Sequence, residues 1–176
     1  PTIDKNSIED KILYDLITQV ENKGFELIIK DFSGILDIPT IGVLTIDPKD
    51  RNNIGHGIGV CTDKNKALIR AVLESAQGFA TVNDTRENPP RLNLKNITGS
   101  YYFNSYEEMQ FLLKGEKIKF QDVIDIKQDD FKQEIIQCSD ILRNKGKEII
   151  FMDLTDSEIG FSVVGVYLTN AYKTYI

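Results

Sequence analysis

Tryptophan is absent from this 176-residue chain, and histidine (one), cysteine (two), methionine (two) and proline (five) are scarce. Cys61 and Cys138 lie far apart without a C-x-x-C pair, and His56 is the single imidazole, so a disulfide framework or a structural zinc site is not expected. A reduced, cytoplasmic setting fits that usage. Positive charge is also in deficit, with 21 Lys+Arg against 27 Asp+Glu and a net charge of −6. Binding to the DNA or RNA backbone rests on Lys and Arg displacing counterions, so no nucleic-acid partner is expected, although a small basic pocket for a nucleotide is compatible. No apolar run approaches the roughly 20 residues that cross a bilayer, and Pro1-Thr2-Ile3-Asp4-Lys5 lacks the hydrophobic stretch of a signal peptide. No membrane association is expected. The chain starts at Pro1 rather than Met, which fits a processed product or part of a longer polypeptide.

What is present fits one domain able to bury a core: 41% hydrophobic and 27% charged residues at this length. Ser7-x-x-Asp10 resembles a capping box, and Ile8, Ile12, Leu13, Leu16, Ile17 and Val20 then recur at helical spacing until Gly24. Phe25 to Lys30 reads as a strand, Asp31-Phe32-Ser33-Gly34 as a turn, and Thr40 to Ile46 as a second strand. After the polar loop Asp47 to Asn53, Gly55-His56-Gly57-Ile58-Gly59 reads as a flexible glycine-rich loop leading to a helix from about Thr62 or Asp63 to Thr81. Ser105 and Glu108 stand at capping-box spacing ahead of a short helix ending at Lys114-Gly115, and Lys119 to Asp130 has no clear pattern.

The last third repeats the opening. A helix carrying Phe131, Ile135, Ile136, Cys138, Ile141 and Leu142 ends at Asn144-Lys145-Gly146, followed by a strand, the turn Asp153-Leu154-Thr155 and another strand. Asn22-Lys23-Gly24, Asp31 and Ser33 match Asn144-Lys145-Gly146, Asp153 and Thr155 at one offset of 122. Residues 7–47 and 129–169 are thus expected to be two helix–strand–strand copies in an α/β (α+β) fold, pairing edge to edge as one sheet with helices packed on it.

The helix from Asp63 to Thr81 carries ordered polarity. Ile69, Val72, Leu73, Ala76 and Ala80 form an apolar stripe, and Arg70, Glu74 and Gln77 follow one another at i, i+4 and i+7 across from it. A carboxylate can hold magnesium, an arginine can meet a phosphate, and an amide can bond a ribose or base edge. A solvated polar stripe, with an Arg–Glu pair contributing about 0.2–0.5 kcal/mol, satisfies the same spacing. The alternating glycines could bring backbone N–H groups to an anion, but they match neither the Rossmann nor the P-loop spacing. His56 is a candidate general base, although a lone histidine in such a loop is more often exposed and idle. Asp153, Asp156 and Glu158 could bind a metal or, more commonly, cap a turn. Cys61 has no nearby base in sequence, as expected for an idle thiol.

Gly57-x-Gly59-x-Cys61-x-Asp63, followed by Ala67-Leu68-Ile69-Arg70-Ala71-Val72-Leu73-Glu74-Ser75-Ala76-Gln77, resembles the GxGxHxD…ALxRALxExxQ segment of YcaO-domain proteins. Phe151 to Val164 resembles that family's strand–turn–strand vDLTxxdiGiPVv, and Asp31 to Pro39 is similar to its related upstream copy. The resemblance implies ATP- and Mg2+-dependent phosphorylation of a peptide backbone amide, with a Cys or Ser side chain or sulfide then giving an azoline or thioamide. By matching position it places Glu74 and Gln77 at the nucleotide site, Glu74 toward the metal, and Arg70 and Arg86 as weaker phosphate contacts.

Departures from the pattern matter as much. The family's two earlier helices with paired glutamates at ExxE spacing have no counterpart here, its Gln-Ser-Arg becomes Gln77-Gly78-Phe79, its histidine becomes Cys61, and its PGLE becomes Leu168-Thr169-Asn170-Ala171. The chain therefore resembles the C-terminal half of a YcaO domain, inactive in isolation because half a clamp gives little rate enhancement. The alternative is a degenerate, non-catalytic YcaO-like domain that binds a peptide or partner protein. Either way a surface normally covered by the missing half is expected to lie bare, which predicts a homo-oligomer or a partner chain beside the peptide or protein substrate.

Overall fold

The computed structural model describes residues 1–83, 106–107 and 109–169. In chain order its elements are β1 (Thr2–Asp4), α1 (Lys11–Asn22), β2 (Glu26–Asp31), β3 (Thr40–Ile46), β4 (Ile54–Val60), α2 (Lys64–Asn83), α3 (Gln110–Leu113), β5 (Lys117–Lys119), α4 (Phe131–Asn144), β6 (Ile149–Asp153) and β7 (Val164–Leu168). The first five strands form one sheet in the order β4-β3-β2-β1-β5, antiparallel except for the parallel β1–β5 pair.

β3 explains why this sheet is stable. Its alternate side chains face opposite ways, and both sets are largely apolar, so both faces can be covered. Ile41 and Val43 pack with Ile29 of β2, with Leu13 and Ile17 of α1, and with Leu68 and Val72 of α2. Leu44 and Ile46 meet Met109, with Tyr106 and Leu113 beside them, on the other face. Each of these fully buried aliphatic side chains contributes on the order of 1.5–3 kcal/mol.

Three local expectations are corrected. α1 starts at Lys11 with Asp10 as its cap, the carboxylate accepting from Leu13 N at 3.1 Å, not at Ser7. The Ser7 hydroxyl is committed elsewhere, accepting from Phe120 N at 2.8 Å and donating to Asp4 O at 2.6 Å. The glycine-rich segment is strand β4 rather than a loop. The buried face of α2 is Ala67, Leu68, Ala71, Val72 and Ser75, whereas Leu73, assigned to the apolar stripe from spacing, is exposed. The strand demands small side chains opposite it, which rotates the buried face toward the alanines. Ser105 and Glu108 lie outside the described residues.

The two helix–strand–strand copies follow one hydrogen-bond scheme. Asp31 Oδ1 accepts from Ser33 N at 2.9 Å, Ser33 Oγ accepts from Thr40 N at 3.0 Å, and Phe32 N donates to Thr40 O at 2.8 Å. In the second copy Asp153 Oδ1 accepts from Thr155 N at 2.9 Å, Thr155 Oγ1 accepts from Val163 N at 3.1 Å, and Leu154 N donates to Val163 O at 2.9 Å. Both helices end in a glycine of positive φ, Gly24 at 92° and Gly146 at 71°. The offset is 122 through Thr155, and the match of Thr40 with Val163 adds one residue to the second connection.

The copies differ in their neighbours. Among the described residues, β6 and β7 pair only with each other, rather than extending the first sheet as the sequence suggested. β3 is already paired with β4 and β2 with β1, so the first hairpin has no open edge left for them. Among the described residues, the second hairpin and α4 leave Phe131, Phe151, Phe161, Val164, Val166 and Tyr167 exposed, with Phe131 83% exposed.

Candidate functional site

β4 and α2 form the unit that carries the polar stripe. α2 runs back along β4 with Ala67, Ala71 and Ser75 over Gly59, Gly57 and Gly55. A Cβ at these glycines would fall 1.8 Å from Ala67 O, 2.3 Å from Ala71 O and 2.3 Å from Ser75 O. Only glycine lets the helix backbone approach this closely, so the alternating glycines set the helix–strand distance. Ser75 fixes the register. Its buried hydroxyl lies 2.7 Å from Thr45 Oγ1 on the neighbouring strand and donates to Gly55 O at 3.2 Å.

The start of α2 is equally fixed. Asp63 accepts from Asn65 N at 2.9 Å and Lys66 N at 3.3 Å, and its other carboxylate oxygen lies 3.2 Å from Lys127 Nζ. Burial pushes the Asp63 carboxyl up, but the Lys66 and Asn65 amides and the Lys127 ammonium outweigh it and hold it below the usual carboxylate range. The anionic cap also suits the positive end of the helix.

With the helix so placed, Arg70, Glu74 and Gln77 stand together on its exposed side. Among the described residues β4 is an edge strand, and Arg70 and Glu74 reach its backbone: Arg70 Nη1 donates to Val60 O at 2.9 Å, and Ile58 N donates to Glu74 Oε2 at 2.7 Å. The stripe is therefore attached to the strand edge rather than free in solvent. Both side chains remain exposed. Arg86 lies outside the described residues.

His56 is exposed on β4. Asp153 and Asp156 cap turns, accepting from Thr155 N at 2.9 Å and Glu158 N at 2.8 Å. Phe79, which stands where the resembling family has an arginine, packs edge-on against Phe25 with ring centroids 4.5 Å apart. Sequence reasoning missed the glycine strand, although the period-two Gly55-Gly57-Gly59 and the four-residue spacing of Ala67-Ala71-Ser75 were both there to be read together.

For ATP and Mg2+ the donor set decides the fit. Among the described residues no three His, Cys, Asp or Glu side chains converge to hold a metal ion. Glu74 offers a single carboxylate, so these residues do not form a complete Mg2+ site. Also among them, no helix is long and apolar enough to cross a membrane.

The profile of the YcaO cyclodehydratase family, described as ATP- and Mg2+-binding, matches residues 1–170. No curated protein matches the chain. Among solved structures, a heterocyclase in complex with substrate and cofactor superposes with a TM-score of 0.76 at 20% identity, over 96% of this chain and 22% of that one. The heterocyclase TruD gives 0.68 at 21% identity, over 96% and 23%. YcaO from Methanopyrus kandleri, bound with AMPPCP and Mg2+, gives 0.67 at 16% identity, over 95% and 44%. The chain thus spans less than half the length of each of these three. With the glycine strand, the stripe-bearing helix and the profile match over nearly the whole sequence, the chain belongs to the YcaO family.

Proposed function

We propose that this chain is one part of an ATP- and Mg2+-dependent YcaO enzyme that activates a peptide backbone amide for azoline or thioamide formation. In this reading α2 supplies one wall of the nucleotide site, with Glu74 directed to the metal and Arg70, Gln77 and Arg86 to the nucleotide. The observation that carries it is the side-by-side exposure of Arg70, Glu74 and Gln77 on a helix held in register by Ser75. Phosphoryl transfer needs charge clamped from several sides, so the chain alone is catalytically silent.

Calorimetric titration with Mg-ATP tests this reading, with Glu74→Ala as control. Saturable binding that is lost in the variant supports a working wall of the nucleotide site. Binding that is unchanged in the variant refutes the assignment of Glu74.

A second reading has its own observation. The exposed apolar residues of α4 and the β6–β7 hairpin, with Phe79 packed on Phe25, suit a non-catalytic YcaO-like domain that binds a peptide or partner protein, or pairs with itself. Absence of nucleotide binding together with self-association in light scattering favours this second reading.

A further inference from the structure

The second hairpin has an open backbone edge. Thr169 N donates to Glu148 O and Leu154 N donates to Val163 O, both at 2.9 Å, at the two ends of the β6–β7 pair. Antiparallel ladders alternate bonded and unbonded pairs, so Ile150–Tyr167 and Met152–Gly165 are the bonded pairs in between. Val164, Val166 and Leu168 therefore turn their N–H and C=O groups away from β6, and among the described residues no strand pairs with that edge. In the first copy the matching residues, Ile41, Val43 and Thr45, are covered by Gly59, Gly57 and Gly55 of antiparallel β4.

The edges of the first sheet are blunted against pairing with another chain. On β4, Arg70 occupies Val60 O and Glu74 occupies Ile58 N. At the far edge β5 is three residues long and carries Lys117 and Lys119. β7 has no such device: Val164-Gly165-Val166-Tyr167-Leu168 holds neither charge nor proline. Its outward groups are also symmetric about Val166. A two-fold antiparallel pair of β7 strands sets Val166 against Val166 and Val164 against Leu168, each pair exchanging both backbone bonds, and Tyr167 lies opposite Gly165. The same operation on β6 would set Asp153 against Ile149, a charge against an apolar side chain.

We propose that two copies of this chain join edge to edge through β7, antiparallel about Val166, making one continuous sheet β6-β7-β7-β6. The proposal rests on the reading of a domain that pairs with itself and needs nothing of the nucleotide site. The bare surface is of the size required. Phe131, Phe151 and Tyr167 are 83%, 56% and 55% exposed, which at roughly 150–250 Å² per aromatic side chain leaves roughly 300–500 Å² of each copy uncovered. Exposed Ile135, Val164 and Val166 add to it, and a standard interface takes roughly 800 Å² from each partner.

The test is light scattering of the full chain at micromolar concentration, with twice the single-chain mass as the expected result. Val166→Lys sets two ammonium groups face to face across the two-fold axis, and Val166→Pro removes an N–H that β6 does not use. Each is expected to return the single-chain mass with the circular dichroism spectrum unchanged. Hydrogen exchange of the unsubstituted chain gives a readout that needs no variant: the amides of Val164, Val166 and Leu168 are expected to exchange more slowly in concentrated than in dilute protein. A single-chain mass for the unsubstituted protein overturns both the proposal and the self-association reading on which it rests. A dimer that both variants retain, or exchange at those amides that ignores dilution, overturns the β7 pairing and leaves that reading standing.

Discussion

Replacing Gly59 by alanine tests the logic of the β4–α2 unit most directly. The new methyl group would sit 1.8 Å from Ala67 O, 2.7 Å from Ala67 C and 2.9 Å from Ala71 N. All three are backbone atoms, so no rotamer change relieves the overlap. α2 must lift from β4 by more than an ångström, loosening the contacts of Ala67, Leu68, Ala71 and Val72, which are 0–1% exposed. Overpacking a well-filled interior costs about 1–3 kcal/mol, and a clash confined to backbone belongs at or above the top of that range. Against a total stability of about 5–15 kcal/mol, that is a large share. For a chain of this length a loss of about 3 kcal/mol lowers the melting temperature by roughly 6–12 °C. Gly34→Ala is the control, because a Cβ there meets nothing within 4 Å. Urea unfolding followed by circular dichroism should show Gly59→Ala shifted to a lower midpoint and Gly34→Ala nearly unmoved. Equal midpoints for the two variants would refute the glycine-spacing argument.

Other substitutions probe the same unit and the bare face. Ser75→Ala leaves the buried Thr45 hydroxyl without its side-chain partner and is expected to cost about 1–3 kcal/mol, with Thr45→Val in the same chain recovering part of it in a double-mutant cycle. Asp63→Ala removes the α2 cap and should cost about 1–2 kcal/mol at neutral pH. Because the folded state holds the Asp63 carboxyl below its unfolded value, its contribution is complete above the ordinary carboxylate range and fades as pH falls through the depressed folded value. Unfolding curves of the variant and the unsubstituted protein should therefore converge in strong acid; a gap that persists there contradicts the assignment. Phe151 and Val166 are cross-strand partners, both exposed, so Phe151→Asp with Val166→Lys should reduce binding of an apolar dye while leaving the circular dichroism spectrum intact.

Helices, strands and the internal repeat were legible because each rests on a local rule: apolar spacing, a terminal glycine, or an Asp followed two residues later by Ser or Thr. β3 was read with its observed ends, Thr40 and Ile46, since a run of β-branched and aliphatic residues between polar turns has few other uses. β4 was misread because glycine has low intrinsic strand preference and only the facing helix explains its presence. The start of α1 was misread for a related reason, since Ser7 is claimed by Phe120, distant in sequence. The polar stripe was found from spacing alone, but its attachment to the edge of β4 was not, because that depends on how the helix lies on the strand. The separate β6–β7 sheet was also beyond local rules: which strand fills an edge is decided by the whole chain.

The paired turns at residues 31–40 and 153–163 close the same circuit of carboxylate, hydroxyl and backbone in two unlike settings, one enclosed on both sides of a sheet and one nearly bare. A circuit that keeps its geometry without cover draws its instructions from its own few residues. Such contacts close short loops, which carry little entropic penalty and form early. Each copy can therefore set the register of its hairpin before any distant part of the chain arrives, and what later docks against it meets a finished edge.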